Sequence, residues 1–98
     1  MISYQISDEC RYYLDAILPT FHYNKITDIR GALENVLISE NGDFSKDNML
    51  RLYFDIIRFL SFNEFGHEID YVFIIDAKGN DLKDSGSLKN YEEKINSN

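Results

Sequence analysis

The chain has 98 residues, of which 17 are acidic and 10 basic, so its formal net charge is −7 at pH 7. This negative excess repels the phosphate backbone of nucleic acids and argues against direct nucleic-acid binding. The length and the hydrophobic fraction of 44% predict one globular domain over 1–98, with a frayed C-terminal end. The longest apolar run, 71–75, is too short for a membrane span, and the N-terminus lacks a signal-peptide pattern. We therefore expect a cytoplasmic protein without membrane contact.

The first half of the chain predicts one strand and two helices. Alternating apolar residues predict a short N-terminal strand (Ile2, Tyr4 and Ile6). Ser7 is a suitable N-cap for a first helix over 8–18, which ends near Pro19. Apolar residues at helical spacing predict a second helix over 25–38.

A third helix, following an N-cap at Ser45, is predicted to be the centre of the fold. From 49 to 62 nearly every residue is apolar, and the charged positions form one narrow ridge (Asp47, Arg51, Asp55 and Arg58). Such a helix is covered by protein on most sides, so we expect four of its apolar side chains to be buried (Leu50, Phe54, Ile57 and Leu60).

The remaining third of the chain predicts an apolar strand over 69–76, a turn over 76–80 and a short return strand near 81–83. Apolar residues at helical spacing predict a weaker last helix (Leu88, Tyr91 and Ile95). The fold class is therefore α+β and mostly helical: three to four helices around the central apolar helix, with a small sheet of two to three strands. The N-terminal strand is expected to pair with the strand over 69–76.

The sequence contains no pattern that identifies a catalytic, metal or cofactor site. Two acidic stretches, 41–52 and 76–87, lack the glycine and glutamate that a calcium loop requires at its sixth and twelfth positions. Cys10 lies on the apolar side of the first helix, where burial keeps a thiol inert, although its place in the first helical turn could instead lower its pKa. His22 and His67 form no triad-like motif, so we expect no enzymatic activity.

The acidic residues fall into three groups that could bind a partner. Asp8, Tyr12 and Asp15 stand at positions i, i+4 and i+7 of the first helix, with Glu9 alongside. Glu40 and Asp43 lie in the turn before the third helix. Glu64 and Glu68 follow that helix. Aromatic side chains surrounded by acids suit a basic protein partner, whereas the alternative is an ordinary solvated helix face.

In size, acidity and aromatic content the chain resembles the small immunity proteins of bacterial toxin systems, which include the colicin, contact-dependent growth inhibition and barstar-like types. The resemblance implies a cytoplasmic protein that binds one basic cognate toxin, a nuclease above all, with its acids imitating nucleic-acid phosphates. Two alternatives stay open: a non-catalytic interaction or regulatory subunit of a larger assembly, and a small enzyme.

Overall fold

The chain folds into helices joined by three short strands. The computed structural model describes residues 5–70 and 72–97. The helices within these ranges are α1 (Asp8–Ile17), α2 (Ile29–Ser39), α3 (Lys46–Phe62), α4 (Ala77–Ser85) and α5 (Leu88–Asn96). One turn of 3₁₀ helix, Leu18–Thr20, extends α1. The strands are β1 (Ile26–Thr27), β2 (Gly66–Ile69) and β3 (Val72–Ile75). The α+β class is confirmed, with five helices in the described part where three or four were expected.

Polar N-cap residues start four of these helices. In each case the side-chain oxygen accepts a hydrogen bond from the backbone N–H three residues later, at Ser7, Asp28, Ser45 and Ser87. Such a bond pairs an N–H group that has no partner within the helix. The caps predicted at Ser7 and Ser45 are therefore confirmed. The predicted start of the second helix at Lys25 is wrong, because residues 26–27 join the sheet and Asp28 caps α2 after them.

The three strands form an antiparallel sheet in the order β1–β3–β2. Ile26 pairs with Ile74 in β3, and Gly66 in β2 pairs with Ile75. The apolar strand predicted over 69–76 is confirmed at Val72–Ile75, but its predicted start is wrong, since Ile69 ends β2 and the chain reverses before β3. Asp70 makes this reversal with a φ of 51°, a conformation that Asp adopts more readily than most residues.

The predicted turn and return strand over 76–83 are also wrong, because this segment forms α4. Gly79 signalled a turn in the sequence, but in the structure it allows close packing. A Cβ atom at this position would overlap the backbone carbonyl of Phe65. The glycine therefore brings α4 directly against the backbone that leads into β2.

The core is organised around α3, which packs against α1, α2 and β2. Its buried side chains are Met49, Leu52, Ile56, Ile57, Phe59 and Leu60. At its C-terminal end, the ring of Phe59 lies 5.8 Å from that of Phe65, and the Phe65 ring lies 5.3 Å from that of Tyr91 in α5. This aromatic series joins the central helix to the last one.

The expected burial on α3 is only partly confirmed. Ile57 and Leu60 are buried, Leu50 is half-buried, and Phe54 is 55% exposed. Phe54 follows Asp47 by seven residues, close to two helical turns, so both side chains lie on the solvent face. The charged residues of α3 correctly predicted which side of the helix faces solvent, but that side is wider than predicted and also includes Phe54.

The predicted N-terminal strand falls mostly on residues outside the described ranges, which include neither Ile2 nor Tyr4. Ile6 is described: it lies in an irregular segment and packs, half-buried, against the core. Within the described ranges, β1 lies beside β3 on the side opposite β2. Its residues, 26–27, were predicted to be helical.

Candidate partner-binding face

Helix α1 carries all four residues of the first predicted group, but they point in two different directions. Its buried side, with Cys10, Leu14 and Ile17, faces the core. Asp8, Glu9 and Tyr12 are exposed to solvent. Arg11 and Asp15, on a third side, are half-buried and contact α5.

Tyr12 connects the first predicted group with the second. Its hydroxyl donates a hydrogen bond to the carboxylate of Glu40, just after the C-terminus of α2. The Tyr12 ring is 53% exposed and rests edge-on against Tyr13, with the ring centroids 5.2 Å apart. The hydrogen bond to Glu40 raises the pKa of the Tyr12 phenol, because ionisation would lose the bond and place two negative charges together. An aromatic ring thus stands exposed among acids and is fixed at its hydroxyl end.

A second series of contacts extends from α1 to the loop before α3. Glu9 forms a 2.9 Å ion pair with Arg51. Arg51 donates to the side-chain oxygen of Asn48 at 2.6 Å, and the Asn48 amide donates to the backbone carbonyl of Asp43 at 2.8 Å. The Asp43 carboxylate accepts from the backbone N–H of Ser45, which lowers the pKa of Asp43 because the bond favours the charged form.

These contacts define one surface, which we call the acidic face. It consists of Asp8, Glu9, Tyr12, Glu40 and Asp43. Two guanidinium groups lie at its edge: Arg51 pairs with Glu9, and Arg11 is close enough to Asp8 to interact with its charge. The structure therefore joins the first two predicted groups around Tyr12, apart from Asp15.

Asp15 is engaged within the molecule. Its Oδ1 accepts a 2.8 Å hydrogen bond from the backbone N–H of Leu88, the first residue of α5. Nearby, Arg11 forms an ion pair with Glu92 of α5. The i+7 spacing placed Asp15 on the same stripe as Asp8, but a slight rotation around the helix directs it towards α5, so it is not part of the acidic face.

The third predicted group lies apart from the acidic face. Glu64 follows the C-terminus of α3 with a φ of 62°, and Glu68 lies in β2 opposite Phe73. Asp43 precedes the other end of α3, and 17 helical residues span about 25 Å. Both glutamates are exposed, but α3 separates them from Tyr12.

The sequence did not indicate the role of Arg51. Asp55 follows Arg51 by four residues, the spacing of a helical ion pair, whereas the ion pair of Arg51 joins α3 to Glu9 of α1. Asp55 is half-buried, and its carboxylate lies 3.9 Å from the Sγ of Cys10. An i+4 spacing identifies possible ion-pair partners within one helix. It does not show whether a residue of another helix, here Glu9 of α1, lies closer to Arg51.

Other potentially reactive side chains are dispersed. Among the described residues, no group of three or more His, Cys, Asp and Glu side chains is arranged to hold a metal ion. His67 lies 2.8 Å from Asp76, and His22 lies 3.2 Å from the amine of Lys83. The expected burial of Cys10 is confirmed, and burial raises the pKa of its thiol.

Comparison with known proteins adds no family to this picture. No protein-family model matches the chain, and no curated protein or solved structure matches it either. None of the helices in the described ranges has both the length and the apolar character needed to cross a bilayer.

Proposed function

We propose that this chain is an immunity protein that binds and neutralises a basic cognate toxin, a nuclease in the first instance, in the cytoplasm. The observation that carries the proposal is the exposed Tyr12 ring held by Glu40 among the other acids of the acidic face. A nuclease binds phosphates through a basic surface, and carboxylates fixed on a protein can occupy the same surface.

The contacts within the acidic face support this role because they reduce the entropy lost on binding. Glu9, Glu40 and Asp43 are already held by Arg51, Tyr12 and the Ser45 backbone respectively. Ordering a flexible side chain at an interface costs about 0.5–1.5 kcal/mol. Carboxylates that are positioned before the encounter avoid much of this cost.

The two kinds of side chain contribute differently to binding. Exposed carboxylates attract a basic partner over distance and raise the association rate. A tyrosine ring that becomes desolvated in the contact slows dissociation. The acidic face therefore predicts association that slows steeply with salt and dissociation that depends on Tyr12.

The proposal is tested with the product of the adjacent upstream reading frame, in particular a basic C-terminal domain. That domain is expected to arrest growth when expressed alone, and co-expression of this chain is expected to restore growth. Binding of the purified pair is then measured at increasing salt. Failure to restore growth together with absence of binding would contradict the proposed function.

Three variants assign the interface in the same binding experiment. The double variant Asp8→Asn/Glu9→Gln is expected to lower the association rate by about tenfold, within the range of electrostatic steering. Asp81→Asn/Asp84→Asn on α4 removes the same charge elsewhere and is the matched control. Tyr12→Ala is expected to accelerate dissociation. If the double variant and the control change association equally, the acids act only through net charge and the acidic face is not the interface.

The alternative, a non-catalytic interaction or regulatory subunit, is favoured by a different observation. Several large apolar side chains outside the acidic face are exposed, among them Phe62 at 63%, Ile38 at 61% and Phe54 at 55%. This reading predicts an association that salt does not weaken and that Phe54→Ser/Phe62→Ser abolishes. The same binding experiment distinguishes the two functions.

A further inference from the structure

The strand β2 has an open side. Because β3 lies in the middle of the sheet, β1 and β2 each have one side on which the described residues place no further strand. β1 has only two residues, whereas β2 has four, Gly66–Ile69, of which 67–69 are exposed. The open side of β2, which we call the β2 edge, is therefore the one long enough to pair with another strand.

The hydrogen bonds of β3 show which way the backbone groups of β2 point. The Ile75 N–H donates to the carbonyl of Lys25 at 3.3 Å, and the Ile75 carbonyl accepts from the Asn24 N–H at 2.8 Å. Both groups of Ile75 are therefore directed towards the β1 side. Successive residues of a strand direct these groups to alternate sides, so those of Ile74 point to β2, where His67 lies opposite.

Glu68 consequently directs its backbone N–H and C=O groups away from the sheet. His67 bonds towards β3, and the groups of the next residue point to the open side by the same alternation. Among residues 5–70 and 72–97, no backbone group outside the sheet bonds to Glu68. Because Glu68 is exposed, its backbone donor and acceptor are accessible to an added strand.

Three carboxylates are placed along the β2 edge. Glu64 precedes β2, Glu68 lies within it and Asp70 follows it, and all three are exposed. None of the ion pairs in the described ranges includes any of them. The β2 edge therefore carries negative charge that no ion pair neutralises.

The basic side chains described near this end of α3 are mostly engaged. His67 is held by Asp76 at 2.8 Å, and the amine of Lys78 lies 5.3 Å from the ring centroid of Phe65. Arg58 is exposed, four residues before the end of α3. One exposed guanidinium against three unpaired carboxylates leaves the β2 edge complementary to a basic partner.

The face of the sheet that points away from the core is mainly apolar. Ile26, Ile74 and His67 form one row across the three strands, and Val72 and Ile69 form the next. Ile26 is 65% exposed and Ile69 is 49% exposed. A strand added at the β2 edge would extend this outer face and place alternate side chains beside His67 and Ile69.

We propose that the β2 edge binds an extended segment of a basic protein as a fourth strand. One basic side chain of that segment lies beside Glu68, and the backbone groups of the same residue pair with those of Glu68. The apolar side chains on either side of it lie beside His67 and Ile69 on the outer face. This proposal does not rest on the proposed function, because the acidic face lies at the other end of α3.

The charges decide between a basic segment and a second copy of this chain. Pairing of two β2 edges would bring Glu64, Glu68 and Asp70 against the same three acids, and like charges across paired strands are destabilising. Charged side chains on an edge strand protect against such self-association. The same charges attract a segment of opposite charge and so select the partner.

Strand addition is tested by NMR of the full-length ¹⁵N-labelled chain with the peptide acetyl-Thr-Val-Lys-Val-Thr-amide. We expect saturable shifts that are largest at the amide of Glu68, whose N–H gains a hydrogen bond. The N–H groups of His67 and Ile69 already point to β3 and should shift less. Unsaturated shifts, or equal shifts at the three amides, would overturn the proposal.

Two N-methylated peptides separate backbone pairing from attraction between charges. N-methylation of the lysine removes the donor that faces Glu68 and should weaken binding by about tenfold. N-methylation of one valine keeps the charge and the side chains, and it should leave the affinity unchanged because that N–H points away from β2. Equal affinities of the two peptides would show that no strand is added and would contradict the proposal.

Charge variants of the chain test the role of Glu68. Glu68→Gln keeps the size of the side chain and should lower the affinity for the unmethylated peptide by about threefold, as expected of an exposed ion pair. Asp47→Asn, in the first turn of α3, changes the net charge equally and should leave the affinity unchanged. Equal losses would contradict the placement of the lysine beside Glu68.

A second copy and the toxin give distinguishable results. Shifts of the Glu68 amide on dilution of the chain alone would assign the β2 edge to a second copy and overturn the proposal. Neutralisation of the toxin without binding of the peptide would leave the proposed function in place and overturn the assignment of the β2 edge. Binding of the peptide without neutralisation of the toxin would support the β2 edge and contradict the proposed function.

Discussion

The carboxylate of Asp15 on α1 accepts a hydrogen bond from the first backbone N–H of α5, that of Leu88, at 2.8 Å. This N–H group belongs to the helical turn whose donors have no partner within the helix. Ser87 accepts from another donor of the same turn, the N–H of Asn90. Asp15 therefore contributes to the cap of α5 from a distant part of the chain.

Replacing Asp15 should destabilise the fold. Asp15→Ala leaves the Leu88 N–H without its partner, and we expect the free energy of unfolding to fall by about 1–2 kcal/mol. The control Asp8→Ala, on the same helix but exposed, should remain within about 0.5 kcal/mol of the parent chain. Urea unfolding measures both. Equal stabilities for the two variants would show that the contact with α5 contributes nothing.

The two phenylalanines of α3 predict opposite outcomes of truncation. Phe59→Ala removes a fully buried ring and should cost about 3–5 kcal/mol. Phe54 is 55% exposed, so Phe54→Ala should cost about 1 kcal/mol or less. Urea unfolding of the two variants tests this difference. A loss at Phe54 as large as that at Phe59 would mean that the solvent face of α3 has been misidentified.

The contact between Tyr12 and Glu40 predicts a specific pH dependence. Because its pKa is raised in the folded chain, Tyr12 should titrate above the ordinary tyrosine value of 10.0. Its stabilising contribution is complete below that ordinary value and is lost as the pH rises through the raised pKa. NMR of chains carrying ¹³C-labelled tyrosine resolves the titration.

Glu40→Gln is the matched test of this pH dependence. It removes the negative charge but keeps an acceptor oxygen, so the pKa of Tyr12 should move back towards the ordinary value. Glu34→Gln, within α2 and paired with Arg30, should leave the titration of Tyr12 unchanged. An unchanged Tyr12 titration in Glu40→Gln would show that the negative charge of Glu40 does not act on the Tyr12 phenol in solution.

Cys10 should be unreactive in the folded protein. Its side chain is fully buried and burial raises the pKa of the thiol, so little thiolate forms at neutral pH. An aromatic disulfide reagent should label Cys10 only after urea is added. Rapid labelling of the folded chain would contradict this expectation and would revive the thiol-enzyme alternative.

Local signals in the sequence predicted the elements that depend on neighbouring residues. Ser7 and Ser45 mark true helix starts because N-capping is decided within three residues. The long apolar pattern after Ser45 and the weaker one after Leu88 both correspond to helices. These features could be read without knowing what the helices pack against.

Tertiary contacts decided the features that were predicted wrongly. Ile26 has the periodicity of a helix residue but pairs with Ile74 in the sheet. Gly79 and Asn80 indicated a turn, yet the close approach of Phe65 makes the glycine suitable within α4. The acidic face depends in the same way on the ion pair between Arg51 and Glu9. The spacing of residues within α3 could not predict that Arg51 pairs with a residue of α1.

The central position of β3 has a consequence for the protein during its synthesis. β1 is made early, but its partner in the sheet lies nearly half a chain length further on, after both α2 and α3. The helices α1, α2 and α3 are therefore synthesised before β3, the strand that lies between β1 and β2 in the sheet. Thr27 cannot pair with Phe73 until β3 has left the ribosome, so the sheet closes after α1, α2 and α3 have been synthesised, and its closure joins residues 26–27 to residues 72–75.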